Sequence, residues 1–250
     1  MICALLIGRE GSSGFPGKNL LNVLGRPLCA YPMMAALESS FVDRLYVSTD
    51  SENIRKVATS YNAHLIERPP ELASKEALGE DAYLHGFDFI SNELSHEGSK
   101  LDLLVLLMCN APTISAELID HGVELLNQNP NADSAVTVSA YNMWSPTRAR
   151  RLDDDGYLKP FVPFNKYDKK DLDSFSCDRD SQGTVYFADM GASIVRPKCF
   201  TNMNSNLPPQ KWMGKKILPI QNWGGLDMDY AWQIGMVEFW LREHGVKYKS

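Results

Sequence analysis

The sequence has no basic excess. Its 25 lysines and arginines stand against 31 aspartates and glutamates, for a net charge of −6. General nucleic-acid binding needs a broad cationic footprint, so no nucleic-acid partner is expected. A small anion held in a locally basic cleft stays open. Long apolar runs are missing too: the longest, "LDLLVLLMC" at 101–109, falls far short of the roughly 20 residues that span a bilayer. No membrane partner is expected. "ICALLI" is too short for the apolar part of a leader and follows no basic residue, which gives the expectation of a cytoplasmic protein. Cysteine is sparse: five, at 3, 29, 109, 177 and 199, with no C-x-x-C pair. Odd in number and scattered, they suit reduced thiols. The five histidines show no ligand spacing. No serine sits in a G-x-S-x-G elbow, and no internal repeat is visible.

Strand-like and helix-like segments alternate in a chain that is 44% hydrophobic, enough for a sizeable core. "ICALLIG" reads as a buried strand and "LCAYPMMAALES" (28–39) as a helix with Pro32 near its start. "RLYVSTD" (44–50) is a strand, and "SENIRKVATSYN" a helix with Ser51 at its N-cap. "AHLIE" is a third strand and "LGEDAYLHGFDFISNEL" a helix. "LDLLVLLMC" is apolar on both faces, as a central parallel strand is. "SAELIDHGVELLNQN" and "SAVTVSA" (134–140) add a helix and a strand. The pattern predicts an α/β protein with an open, mostly parallel sheet covered by helices on both faces. Ligands in such sheets bind beyond the carboxyl ends of the strands, here residues 8–19, 49–50 and 109–113.

After residue 141 the texture becomes aromatic, charged and turn-rich. Residues 141–182 read as an excursion, a hairpin or arm with "DDDGY" as its turn, and its aromatics suit a dimer contact. A disordered charged loop is the alternative. "GTVYFAD" and "GASIVR" resume strand character. "MDYAWQIGMVEFWLREHG" reads as a closing helix ended by His244 and Gly245. Residues 1–250 are read as one domain.

The opening loop, "GREGSSGFPGKN", places glycines at 8, 11, 14 and 17 between Arg9 and Lys18. Backbone N–H groups of such a loop can converge on one anion. Arg adds a forked donor and Lys a point charge, a sensible cradle for a triphosphate. The loop is not a P-loop, since Gly11 and Gly17 are one residue too far apart and Asn19 stands where a hydroxyl is needed. Nor does it fit G-x-G-x-x-G. A surface loop whose glycines only make turns is the bland alternative.

Arg9, Ser12, Gly14, Pro16, Lys18 and Asn19 spell R-x-x-S-x-G-x-P-x-K-N after an N-terminal strand. This resembles the signature of the acylneuraminate cytidylyltransferases, the CMP-sialic acid synthetase family. "VSTDSENIRKVATSYNAHLIERPPELAS" (47–74), "QGTVYF" (182–187) and "LDMD" (226–229) are similar to three further motifs of that family, in the same order. The resemblance implies a Rossmann-like three-layer nucleotidyltransferase fold with a mostly parallel central sheet and an arm insertion. It also implies a homodimer held through that arm, with CTP and a sugar acid as partners. The reaction implied is attack of a 2-keto-3-deoxy sugar acid on CTP, giving CMP-sugar and pyrophosphate, with Mg²⁺ as cofactor.

Carried over by resemblance, Arg9, Lys18 and Asp229 are the catalytic residues. Arg9, Gly11, Ser12, Ser13, Gly14, Lys18, Asn19, Arg68 and Asn110 hold the nucleotide. Arg148, Arg179, Gln182 and Tyr186 face the sugar, and Asp227 and Asp229 bind the metal. Two carboxylates at i and i+2 outside a helix can converge on one hard cation. The spacing alone favours helix N-caps over a metal site. For Arg68 the alternative is an ion pair with Glu67 or Glu71, for "RARR" (148–151) a solvated basic patch, and Asp50 reads as a helix-start residue with a nucleotide contact as its alternative. Trp223, Trp232 and Trp240 read as core or interface.

The sequence departs from the family where L-L-Q-P-T-S-P-L-R is usual and "LLMCNAPTI" stands instead. Met108 replaces the glutamine, Asn110 the threonine and Ile114 the arginine. Ser13 replaces a lysine of the first loop, and Asp180 an arginine. These changes gather on the sugar side. They leave two alternatives beside the sialic-type acceptor: another sugar such as an octulosonic acid, or a silent nucleotide-binding paralogue acting as a regulatory or scaffold subunit.

Overall fold

The computed structural model describes the chain except Ser12, Ser13, Lys75, Ser250 and the side chain of Asp171. Seven strands form the main sheet: β1 (Ile2–Ile7), β2 (Arg44–Thr49), β3 (His64–Glu67), β4 (Leu103–Met108), β5 (Ser134–Ala140), β6 (Tyr186–Val195) and β7 (Ile217–Asn222). Their order is β7-β5-β6-β4-β1-β2-β3. All neighbours run parallel except β6, which is antiparallel to both β4 and β5. Ile2 faces Leu103 and Cys3 faces Arg44 across the centre, so β1 is flanked on both sides. This is the mostly parallel α/β sheet expected.

The helices are α1 (Ala30–Glu38), α2 (Glu52–Ser60), α3 (Gly79–His96), α4 (Ala116–Gln128), α5 (Lys169–Ser174), α6 (Lys198–Thr201) and α7 (Ile234–Glu243). Alternation along the strands sorts them onto two faces. Ala4, Leu6, Val47, Val105 and Leu107 point to one side and pack with Met33, Ile54, Ile119 and Val123 of α1, α2 and α4. Cys3, Leu5, Ile7, Tyr46, Leu104 and Leu106 point to the other, against Tyr83, Ile90 and Leu94 of α3 and Phe200 of α6. Strands buried on both faces need continuous apolar runs, and β1 and β4 have them. Ser51 and Ser115 cap α2 and α4, each accepting the N–H three residues on.

A third cluster lies beside the sheet. Val23, Leu24, Leu28 and Tyr31 pack with Leu226, Met228, Val237, Trp240 and Leu241. It fastens the last helix and the segment before it onto the chain that follows the opening loop. Far ends of the sequence meet there.

Two features differ from the expected layout. "GTVYFAD" and "GASIVR" belong to one strand, β6, whose register shifts between Ala188 and Ser193, with Met190 at φ +62°. The bulge is held by the buried Asp189 carboxylate, which accepts from Ser139 Oγ at 2.8 Å, Asn222 Nδ2 at 3.0 Å and the Gly191 N–H at 3.1 Å. Strand β7 was not foreseen because Pro219 sits inside it. Proline is tolerated there because β7 is an edge strand. The 141–182 excursion leaves the main sheet and contains a two-stranded hairpin, Arg150–Leu152 with Leu158–Pro160.

Candidate active site

The central strands end where the sequence placed the ligand. Beyond β1 and β4 lies a cavity of about 420 Å³. Among the described residues its lining carries three cations, Arg9, Lys18 and Arg68, against one acid, Asp229. Gly11, Gly14, Asn19 and Asn110 also line it, with Leu78 and Gly79 at the start of α3. That helix has no side-chain cap, so the positive end of an 18-residue helix borders the cavity. Excess positive charge and a helix start without a side-chain cap suit a polyanion.

The loop is positioned by its own turns. Gly17 takes φ +76° and starts the 3-10 turn Lys18–Leu20. Asn19 reaches back through Nδ2 to the Arg9 carbonyl at 3.2 Å, while its carbonyl accepts from Cys29 N at 2.9 Å. Its side-chain oxygen is buried without a partner among the described residues, an acceptor left for a ligand N–H or O–H. Arg9 donates to the Ser74 carbonyl at 2.7 Å, and Glu10 N–H to Asp50 at 3.0 Å. Asp50 therefore fixes the loop, and Ser51 caps α2. Arg68 turns to Ser48 rather than to Glu67 or Glu71. It donates to the Ser48 carbonyl at 2.6 Å and the Ser48 hydroxyl at 3.3 Å, and burial lowers its pKa. Cys109 also lines the cavity, but its hydrogen bond to Cys29 and its burial hold the thiol well above its ordinary range. It is no nucleophile.

Opposite the loop runs Leu226–Tyr230. Met228 is fully buried in the third cluster. Its N–H donates to the Asn110 carbonyl at 2.7 Å, and Asn110 Nδ2 donates to the Met228 carbonyl at 3.4 Å. Thr113 holds Leu226 in the same two-sided way, at 3.0 and 2.8 Å. With Met228 turned inward, Asp227 and Asp229 flank it. Neither caps the final helix: Gln233 Oε1 accepts from Asp229 N and Tyr230 N at 2.7 and 2.8 Å. Lys18 is paired with Asp229. Burial and the neighbouring Asp229 charge raise the pKa of Asp227. Two mutually repelling carboxylates are the chemistry a hard divalent cation relieves, so these two residue types suit such an ion, although no group of three or more acidic, histidine or cysteine ligands gathers among the described residues.

On the far side of this segment is a second cavity of about 190 Å³, lined by Tyr141, Trp144, Phe187, Asp227, Trp232 and Met236 among others. Asp227 thus faces the aromatic cavity and Asp229 the cationic one. Tyr141 stacks on Trp144 with centroids 5.4 Å apart, and its hydroxyl donates to the Gly225 carbonyl at 2.8 Å. Sequence reasoning missed these aromatics, since no motif joins positions 141, 187 and 232. Trp232, read as core or interface, is exposed beside this cavity. The sugar-side residues fall elsewhere. Arg148 donates to the Cys177 carbonyl at 2.6 Å, and Gln182 Oε1 accepts from Ser145 Oγ at 2.7 Å, both within the arm. Tyr186 is half-exposed, and Phe187 lines the cavity in its place. Arg179 lies in an adjoining depression with Tyr141 and Trp144 and pairs with Asp180 at 3.4 Å. Ser12 and Ser13 lie outside the described residues.

A family model described as cytidylyltransferase matches residues 3–154. The chain belongs to the cytidylyltransferase family. Among curated cytidylyltransferases it is 32% identical over 172 residues to the N-acylneuraminate cytidylyltransferase of Escherichia coli, covering 68% of this chain and 39% of that protein. It is 32% identical over 158 residues to the CMP-N,N'-diacetyllegionaminic acid synthase of Legionella pneumophila, covering 63% and 65%. The chain therefore spans less than two thirds of the length of these relatives. Among solved structures, a CMP:2-keto-3-deoxy-manno-octonic acid synthetase complexed with CTP superposes with a TM-score of 0.64 at 15% identity, covering 97% of this chain and 99% of that one. A 4-diphosphocytidyl-2C-methyl-D-erythritol synthase from Anaerococcus prevotii gives 0.58 at 14% identity, covering 96% of each. At that identity both show the fold alone, a nucleotidyltransferase fold in the cytidylyltransferase manner.

Proposed function

We propose that this cytidylyltransferase joins CTP to a sialic-acid-like 2-keto-3-deoxy sugar acid, giving the CMP-sugar and pyrophosphate. One observation carries the reading: a cavity lined by Arg9, Lys18 and Arg68 is separated from an aromatic cavity by the segment bearing Asp227 and Asp229. A triphosphate in the first and an acceptor in the second would meet at that segment. Arg9, Lys18 and the loop amides would hold the triphosphate and offset the charge that builds on the departing pyrophosphate. Asn19 and Asn110 would orient the nucleotide. The flat walls of Tyr141, Trp144 and Phe187 would take the acceptor ring and exclude water.

Asp227 and Asp229 are the residues that would hold Mg²⁺. When bound, the cation would supply positive charge to the phosphate oxygens during transfer. Arg179, close to the Tyr141–Trp144 stack, is the nearest of the proposed sugar-side cations to the aromatic cavity. The arm carries Leu152, Tyr157, Leu158 and Phe161 exposed, an apolar surface suited to a second copy of the chain. A cytoplasmic location accords with free cysteines.

Pyrophosphate release from CTP with Mg²⁺, across nonulosonic and octulosonic acids, tests the reading. Turnover with a nonulosonic acid supports it, and turnover only with an octulosonic acid moves the acceptor class. CTP binding without turnover on any acceptor would mark a silent nucleotide-binding subunit. A thermal-shift comparison of CTP, UTP, ATP and GTP checks the base.

A further inference from the structure

We infer that Lys18 occupies the place of the metal on Asp229 until a triphosphate draws it away, so that the divalent cation and the nucleotide enter the site together. This rests on the metal reading of Asp227 and Asp229 given above. Lys18 is 9% exposed, and its ammonium pairs with Asp229. The Asp229 side chain is half-exposed and lines the cationic cavity. Its backbone is not free to follow. Gln233 holds the Asp229 N–H at 2.7 Å, and a Cβ built on Gly14 would stand 3.4 Å from the Asp229 carbonyl, so the loop lies directly against it. The exchangeable part of this contact is the pair of side-chain ends.

Charge gives the exchange its direction. The cavity has three lining cations and one acid among the described residues. A bare divalent cation approaching Asp229 meets Lys18 on the carboxylate, with Arg9 and Arg68 in the same cavity, and the repulsion is felt at low effective dielectric. A triphosphate reverses that balance. It offers Lys18 several oxygens in place of one carboxylate and frees Asp229 to face the cation. Two ligands that each weaken the same internal contact bind with positive coupling, and the coupling is reciprocal. Lys18 is thereby a positioning residue for the metal as well as a phosphate contact. The pair also gives the buried Lys18 ammonium a partner, without which it would be costly to bury.

The test is Mn²⁺ binding without nucleotide, followed by loss of the free-ion electron paramagnetic resonance signal. Lys18→Met is expected to bind Mn²⁺ at least about tenfold more tightly than wild type. Lys18→Gln repeats the measurement if Lys18→Met does not give a native circular dichroism spectrum. Asp229→Asn added to the Lys18 variant should abolish the gain. In EDTA, the single variant Asp229→Asn should bind CTP more tightly than wild type, because Lys18 is released for phosphate. Equal Mn²⁺ affinity in wild type and the Lys18 variants overturns the inference and leaves the metal reading standing. No Mn²⁺ binding in any form overturns both.

Discussion

The ammonium of Lys18 is bonded to the carboxylate of Asp229, 211 residues further along the chain. The contact joins the glycine-rich loop after β1 to the segment that precedes the last helix. Both residues line the cationic cavity, whereas Asp227, two positions before Asp229, lines the aromatic one.

Replacing Asp227 with Asn is expected to separate chemistry from folding. Its carboxyl is raised by burial and by Asp229, so neutralising it removes a repulsion and leaves the melting temperature unchanged or slightly higher. Turnover should fall at least about 100-fold if the carboxylate holds the metal. Pyrophosphate release and a thermal melt on the same preparation decide it. Retained turnover would remove Asp227 from the site.

Asp229→Ala is expected to abolish turnover as well, but with a modest fall in stability. It strands the buried Lys18 ammonium, a loss of about 1–3 kcal/mol. A melt far below that range would mean that the residue is chiefly a structural support.

Gly8 tests how tightly the floor of the cavity is packed. A Cβ at this position would lie 2.4 Å from Cys109 Sγ and 2.8 Å from Cys109 Cβ. Gly8→Ala should therefore cost about 1–3 kcal/mol through overpacking. Adding Cys109→Ala should recover part of the loss, because the clashing sulfur is gone. Denaturant melts of the single and double variants measure it, and a double variant less stable than Gly8→Ala would refute the packing argument.

Acid stability should depend on Asp133. Burial pushes its pKa up, but the Lys198 ammonium at 2.6 Å and the N–H groups of Lys216 and Lys215 at 2.9 and 2.8 Å outweigh burial and lower it from 3.8 to about 2. A lowered carboxylate contributes stability above its unfolded value, and that contribution disappears as pH falls through the folded one. Asp133→Asn should be less stable than wild type by about 2 kcal/mol at neutral pH, by the size of the shift. The gap should narrow below pH 3.8 and vanish near about 2. A gap independent of pH would show that packing, not charge, sets the effect.

The arm makes a prediction about assembly. Light scattering after size exclusion should give about twice the chain mass of 28.0 kDa. Leu158→Asp with Phe161→Asp should return the mass to that of one chain, since both side chains are exposed on the arm. A wild-type protein that is already monomeric would overturn the dimer.

Much of this was legible in the residues. Apolar runs at 2–7 and 103–108 dictated central parallel strands, and the serine at 51 dictated a helix start. The loop between Arg9 and Lys18 gave the expectation of an anion site, because backbone amides and cations beyond a strand end can gather around one anion, and both cations do line one cavity. Other features were hidden. Pro219 disguised an edge strand, and β6 entered the sheet against the direction of its neighbours, which local periodicity does not encode. Arg148 and Gln182 look like ligand residues in sequence, yet both are engaged inside the arm.

By itself the sequence determined the class of fold and the end of the sheet where the glycine-rich loop and its cations lie, because periodicity and turn chemistry act between near neighbours. Only the tertiary structure decided that Met228 turns inward, that Asp229 faces the cations while Asp227 faces the aromatics, and that Tyr141, Phe187 and Trp232 share one cavity. Those facts follow from packing the last helix onto Leu28 and Tyr31, a contact between segments some 200 residues apart whose geometry depends on everything folded between them.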